Sequence, residues 1–178
     1  MTAFIEDGTA CHDQDGYKCV LGRCRSSEDK LDDEIAKTDL YRTQIGVKSA
    51  YVADRDPYPG QGESDAFVVV ELVSDGQPNI NDGEVLCHTH VIQDTSRPKW
   101  NYVCKPPPMK GSARLRFVVL DSDKPDTDPQ LLGSSVQTLD SIMNNGIRTI
   151  TLDQGTLAGG PYWLELDISG TKYNPSDV

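Results

Sequence analysis

Leu115-Arg116-Phe117-Val118-Val119-Leu120-Asp121-Ser122-Asp123-Lys124-Pro125-Asp126-Thr127-Asp128-Pro129-Gln130-Leu131-Leu132-Gly133 decides how this chain is read. An apolar strand stops abruptly in four aspartates within eight residues, and a second apolar strand follows. Four like charges on one short loop repel each other, so a chain that keeps them generally has a compensating cation. Calcium suits such a loop, because it is a hard ion that accepts six to eight oxygen ligands in flexible geometry. The spacing is not that of an EF-hand, since Asp126 stands at the sixth position and Leu132 at the twelfth, where that loop needs Gly and Glu. The aspartates therefore need further ligands from a second loop.

Composition narrows the function classes. The chain has 178 residues and a formal net charge of −11, enough for one domain plus an extension. The acidity argues against a nucleic-acid partner, which calls for clustered Lys and Arg. It would also repel an anionic membrane unless cations neutralised part of the surface. No apolar run approaches the roughly 20 residues of a membrane-spanning helix. The opening Met1–Asp7 lacks the basic start and apolar core of a signal peptide, so Met1 is read as standing in place of a removed leader.

Cys11, Cys19 and Cys24 lie close together between turn-forming glycines. That density reads as a small disulfide-stapled segment over residues 1–25 and points to an extracellular setting. Zinc is the competing reading, but the spacings lack a C-x-x-C pair; free thiols are the third. Residues 26–41 are charged, with Leu31, Ile35 and Leu40 at loosely helical spacing, which reads as a linker or short surface helix.

From Arg42 the pattern turns to period two. Candidate strands are Arg42–Ala50, Ala66–Val73, Glu84–Ile92, Trp100–Cys104, Ala113–Asp121, Leu132–Thr138, Arg148–Leu152 and Tyr162–Ile168. Gly, Pro and Asn turns separate them, and no long helical pattern intervenes. This predicts an all-β, eight-stranded antiparallel sandwich with a loop-rich N-terminal extension and a short tail over 171–178. A hairpin of Glu84–Ile92 with Trp100–Cys104 that pairs Val91 with Trp100 also sets Cys87 opposite Cys104, within disulfide reach. Two buried free thiols are the alternative. A Cys87–Cys104 bridge leaves one N-terminal cysteine odd.

The aspartate loop has a partner. Ile45-Gly46-Val47-Lys48-Ser49-Ala50 ends a strand, a long loop follows, and Ser64-Asp65-Ala66-Phe67-Val68-Val69-Val70 opens the next. Thr95-Ser96-Arg97-Pro98-Lys99-Trp100-Asn101, then Val119-Leu120-Asp121-Ser122-Asp123 and Leu131-Leu132-Gly133, complete four motifs in order. Over residues 42–170 this resembles the C2-domain family, the calcium-dependent lipid-binding module of protein kinase C, synaptotagmin and perforin. The strand Tyr162–Ile168 beyond the last expected one is similar to the permuted type II arrangement. Two departures matter: Pro59 falls where the first loop usually has its aspartate, and the third loop is one residue longer.

The resemblance implies calcium ligands at Asp65, Asp121 and Asp123, a last ligand at Asp126 or Asp128, and Asp56 as a substitute from the first loop. Without the resemblance these would read as an acidic, solvated loop. It also implies phospholipid binding, to anionic or zwitterionic membranes. Arg97, Lys99 and Lys105, in a group with Lys110, Arg114 and Arg116, would meet headgroups, and Tyr51 and Tyr58 would sit at the interface. A solvated sheet face and ordinary loop packing are the plainer readings. His88 and His90 share a strand face without a third ligand, and nothing resembles a nucleophile elbow, so no enzyme is expected. The expected function is a secreted, peripheral, calcium-dependent membrane-binding module whose N-terminal segment serves a protein partner. The alternative is a secreted protein-binding or structural domain, including a perforin-like accessory, in which calcium only rigidifies the loops.

Overall fold

The computed structural model describes residues 17–20, 23–26, 40–54, 63–74, 82–122, 128–153 and 159–173, the first two stretches as backbone alone. Their strands are β1 (Tyr17–Val20), β2 (Arg23–Ser26), β3 (Leu40–Tyr51), β4 (Ala66–Val73), β5 (Glu84–His88), β6 (Lys99–Cys104), β7 (Met109–Lys110), β8 (Arg114–Asp121), β9 (Gln130–Thr138), β10 (Thr149–Thr151) and β11 (Trp163–Lys172). One short helix, α1 (Leu139–Asn144), follows β9. No helix among the described residues is long and apolar enough to cross a membrane.

Two antiparallel sheets face each other. Sheet I runs β10–β11–β3–β6, with the two-residue β7 also paired to β3, and sheet II runs β5–β4–β8–β9. The core between them holds Ile45, Val47 and Leu164 from sheet I against Val68, Val70, Phe117 and Val119 from sheet II. β1 and β2 form a separate hairpin that places Cys19 opposite Cys24 in register. Cys11 and residues 27–39 lie outside the described residues.

The first and last strands of the sandwich set its polarity. β11 lies antiparallel to β3, with Trp163 opposite Tyr51 and Lys172 opposite Tyr41. The chain therefore enters and leaves the sandwich at one pole, as the type II order requires. The connections β3–β4, β5–β6, β8–β9 and β10–β11 cross at the other, here called the loop pole.

Several local expectations change. The sandwich starts at Leu40, two residues earlier than the period-two pattern suggested, because Leu40 and Tyr41 pair with Lys110 and Met109. β7 and α1 were not foreseen. α1 starts where the Thr138 hydroxyl accepts the Ser141 N–H at 3.2 Å, one of the helix donors that otherwise lack a partner. The segment Glu84–Ile92 remains a strand only to His88.

The hairpin proposed for the two cysteines does not form. β5 pairs with β4, setting Cys87 opposite Val70, whereas β6 pairs with β3, setting Cys104 opposite Ile45. Cys87 and Cys104 are nevertheless joined by a disulfide, with Cα atoms 6.4 Å apart. Both face the core from edge strands on the same side of the sandwich, so the bridge ties sheet to sheet. Period two fixed the face of each cysteine but not the strand beside it.

The expected cationic group is dispersed as well. Arg116 is 4% exposed and Glu71 fully buried, joined at 3.2 Å across β8 and β4. Arg114 is on the same sheet, whereas Lys99 and Lys105 are exposed at the two ends of β6 and Lys110 lies on β7 near the entry pole.

Candidate functional site at the loop pole

The loop pole is assembled by main-chain hydrogen bonds between loops. Ile92 N–H donates to Ala66 O at 2.9 Å, Thr95 N–H to Ser64 O at 3.1 Å, Val52 N–H to Ser96 O at 3.0 Å and Ala50 N–H to Pro98 O at 3.1 Å. The segment 92–98 thus crosses from sheet II to sheet I. Ser64 is buried and its hydroxyl donates to Ala53 O at 3.1 Å, which draws the first loop's two ends together. Trp100, 5% exposed, donates its indole N–H to Ala66 O at 3.3 Å. The Trp-Asn pair has a structural reason in addition: Asn101 takes a left-handed φ of 47°, tolerated by its short polar side chain, close to where the β3–β6 register shifts between Val47 and Ser49.

Asp65 and Asp121 meet at this pole. Asp121 stands opposite Ala66 in the β4–β8 ladder. Its Oδ1 accepts the Asp65 N–H at 2.7 Å, and Ser122 N–H donates back to Asp65 O at 3.0 Å. Asp65 Oδ1 in turn accepts the Asp94 N–H at 2.8 Å. Asp94 supplies that donor from a left-handed φ of 52°, a conformation Asp adopts more readily than most residues. A chain of hydrogen bonds therefore links the β3–β4, β5–β6 and β8–β9 connections through two carboxylates, one half-buried and one fully buried.

Other acidic groups gather here. Glu63 accepts the Ser96 N–H, Asp54 and Asp94 are exposed, and Asp128 is exposed two residues before β9. Asp56, Tyr58, Asp123 and Asp126 lie outside the described residues. Among the described residues, no group of three or more His, Cys, Asp or Glu side chains is arranged to hold a metal ion. Reading the sequence missed Asp94 and Glu63. Asp94 opens the Asp94-Thr95-Ser96-Arg97-Pro98 turn, a position where Asp commonly organises local backbone, and that was the available signal.

An aromatic and cationic ledge flanks the acidic loops. The Arg97 guanidinium stacks over the Tyr51 ring at 4.7 Å, and Tyr51 packs against Tyr162 with ring centres 5.2 Å apart. Trp163 lies opposite Tyr51 in the β11–β3 ladder. Arg97 is exposed, and among the described residues no carboxylate forms an ion pair with it. Arg97 and Tyr51 thus come together, Lys99 follows two residues on, and Lys105 lies at the other end of β6.

A β-sandwich whose loops tie both sheets together at one acidic pole defines a class of module with its site on loops rather than in a cleft. The chain belongs to the C2 domain family, whose profile matches residues 41–153. Solved structures agree at the level of fold. A C2 domain of a plant extended synaptotagmin 1 superposes with a TM-score of 0.56 at 22% identity, over 76% of this chain and 97% of that one. Human GIVD cytosolic phospholipase A2 matches at TM-score 0.56 and 16% identity, over 76% of this chain and 17% of that one. The calcium-bound pair of C2 domains of extended synaptotagmin 2 matches at TM-score 0.54 and 19% identity, over 76% of this chain and 46% of that one. No curated protein sequence matches the chain.

Proposed function

We propose that this chain is a membrane-docking C2 module that binds phospholipid through its loop pole in a calcium-dependent way. The observation that carries the proposal is the direct linkage of Asp65 and Asp121 across two loops, with Asp94 bonded to the first. Aspartates held next to one another on separate loops offer the hard oxygen donors that a divalent cation takes. Asp65, Asp121 and Asp128 would hold calcium with Asp123, Asp126 and Asp56. Bound calcium supplies local positive charge where the loops alone are negative. Phosphate oxygens, anionic or zwitterionic, then find a favourable field.

Arg97 supports the same reading. Stacking on Tyr51 holds its planar guanidinium beside the acidic loops, and a guanidinium matches phosphate geometry well. Tyr51 and Trp163 are amphipathic rings of the kind enriched at membrane interfaces. The reading is of a binding module rather than an enzyme. The Cys87–Cys104 disulfide supports an extracellular, peripheral setting, because disulfides persist in oxidising compartments. Co-sedimentation with phosphatidylserine–phosphatidylcholine vesicles tests the proposal. Binding in millimolar calcium that is lost in chelator is expected; equal sedimentation in both, or none in either, removes calcium-dependent docking. Thermal stabilisation by calcium without vesicle binding would instead favour a protein-binding domain with calcium-stiffened loops.

A further inference from the structure

The segment that knits the loop pole is also the one the disulfide closes. Cys87 sits one residue before the end of β5 and Cys104 ends β6, so their bridge makes residues 87–104 a covalent ring. The bridge is the base of the ring, and the loop pole is its tip. At the tip, Ile92 and Thr95 donate main-chain N–H groups to Ala66 O and Ser64 O, and Asp94 donates to Asp65 Oδ1. Ser96 O and Pro98 O accept from Val52 and Ala50. The ring therefore grips sheet II on one side and sheet I on the other, with Asp94 between the two anchorages.

The sandwich is closed differently at its two edges. At the β9–β10 edge, Ser134 and Asp153 exchange main-chain hydrogen bonds of 2.9 and 2.8 Å. At the β5–β6 edge, no ladder or isolated bridge joins the two strands among the described residues, and the disulfide takes that place. The ring is also where backbone strain collects. Asp94 and Asn101, with φ of 52° and 47°, are the only left-handed residues other than glycine among the described residues, and both lie inside it. Such conformations persist only where the surrounding structure over-determines them. Opening the covalent base lets the two edge strands separate and relaxes the segment that aims the Asp94 N–H at Asp65.

We propose that the Cys87–Cys104 bridge is a redox switch for the loop pole: the oxidised chain binds calcium, and reduction weakens that binding. The switch rests on the reading of the pole as a calcium site. Its reductant is a dithiol. One thiolate of the dithiol attacks a sulfur of the bridge, a mixed disulfide forms, and the second thiol resolves it. Two electrons and two protons pass to Cys87 and Cys104, and the dithiol leaves as a disulfide. The two cysteines are 9% and 8% exposed, at the sandwich edge and next in sequence to exposed His88 and Lys105, so a small dithiol approaches from that side. Coupling between two sites is reciprocal, so bound calcium makes the bridge correspondingly harder to reduce.

Calcium titration of the full chain in its two redox states tests the switch. Cys11→Ser, Cys19→Ser and Cys24→Ser leave Cys87 and Cys104 as the only cysteines. Calorimetry before and after dithiothreitol is expected to give a Kd about fivefold higher or more in the reduced chain, restored on reoxidation. An unchanged Kd overturns the switch and leaves the calcium site standing. Hydrogen exchange without calcium gives an independent reading. Amides of residues 92–96 are expected to exchange about tenfold faster after reduction, with those of β4 and β8 unchanged. Equal protection in both states, or acceleration spread over β4 and β8, overturns the switch. No calcium binding in either state overturns the calcium reading instead, and the exchange pattern still decides whether the bridge controls the segment.

Discussion

Glu71 and Asp121 are both fully buried carboxylates on neighbouring strands of sheet II, and they are answered differently. Glu71 meets a guanidinium at 3.2 Å. Asp121 accepts a main-chain N–H at 2.7 Å, a group that carries no net charge. An ion pair supplied by the chain is complete, and it holds the sheet. A carboxylate at a loop pole, bonded to the main chain of a second aspartate and among further acids, suits a cation supplied from solution. Burial alone therefore does not mark a functional acid; its place in the fold does.

Breaking the complete pair should have the largest effect. Arg116→Met leaves Glu71 buried without its guanidinium and is expected to lower stability by about 3–5 kcal/mol in urea unfolding. Adding Glu71→Leu should recover most of the loss, because replacing a buried ion pair by apolar side chains is often neutral or stabilising. If the single and double variants unfold alike, Glu71 is not held by Arg116 and the contrast with Asp121 disappears.

Opening the disulfide comes next. Cys87→Ser with Cys104→Ser removes a bridge between residues 17 apart in sequence, for which the expected loss is about 3 kcal/mol. Mass mapping without reductant should recover the two cysteines linked. A variant as stable as the parent would show that the sheets need no tie.

The loop pole itself is sharpened by calcium. A ligand that binds only the folded state stabilises it by about 2.7 kcal/mol at 100 times its Kd, a rise of several degrees in Tm for a domain of this size. Asp121→Asn with Asp123→Asn should abolish the rise, since charge is removed while volume is kept. An equal melting temperature in millimolar calcium and in chelator for the parent chain would make Asp121 a structural acid like Glu71. The smallest effect on stability is expected at Arg97→Ala, about 1 kcal/mol or less for an exposed cation–π contact. The same change should weaken sedimentation with anionic vesicles several-fold, and unchanged sedimentation would confine Arg97 to packing on Tyr51.

Much of the site was legible before the fold was known. Asp65 and Asp121 stand at the ends of strands whose apolar runs stop at them, so the sequence marks them as loop-facing. The pairing of the loops was legible only through the resemblance. Asp94 was not legible, because its contribution is a main-chain N–H aimed by a left-handed turn, and a turn's aim depends on the strands it joins. The cationic group failed for a related reason: Arg97, Lys99, Lys105 and Arg116 are neighbours in motif order, yet they lie at two ends of a strand and on two sheets.

The sequence by itself determined the strands, their apolar faces, the acidic pole and the face on which each of Cys87 and Cys104 lies, because these follow from local periodicity and composition. Tertiary structure alone decided which strands pair, that the disulfide crosses between sheets rather than within a hairpin, and that Arg116 is buried against Glu71. Those outcomes rest on contacts between residues far apart in the chain. Their selection depends on how whole sheets pack, which no local pattern encodes.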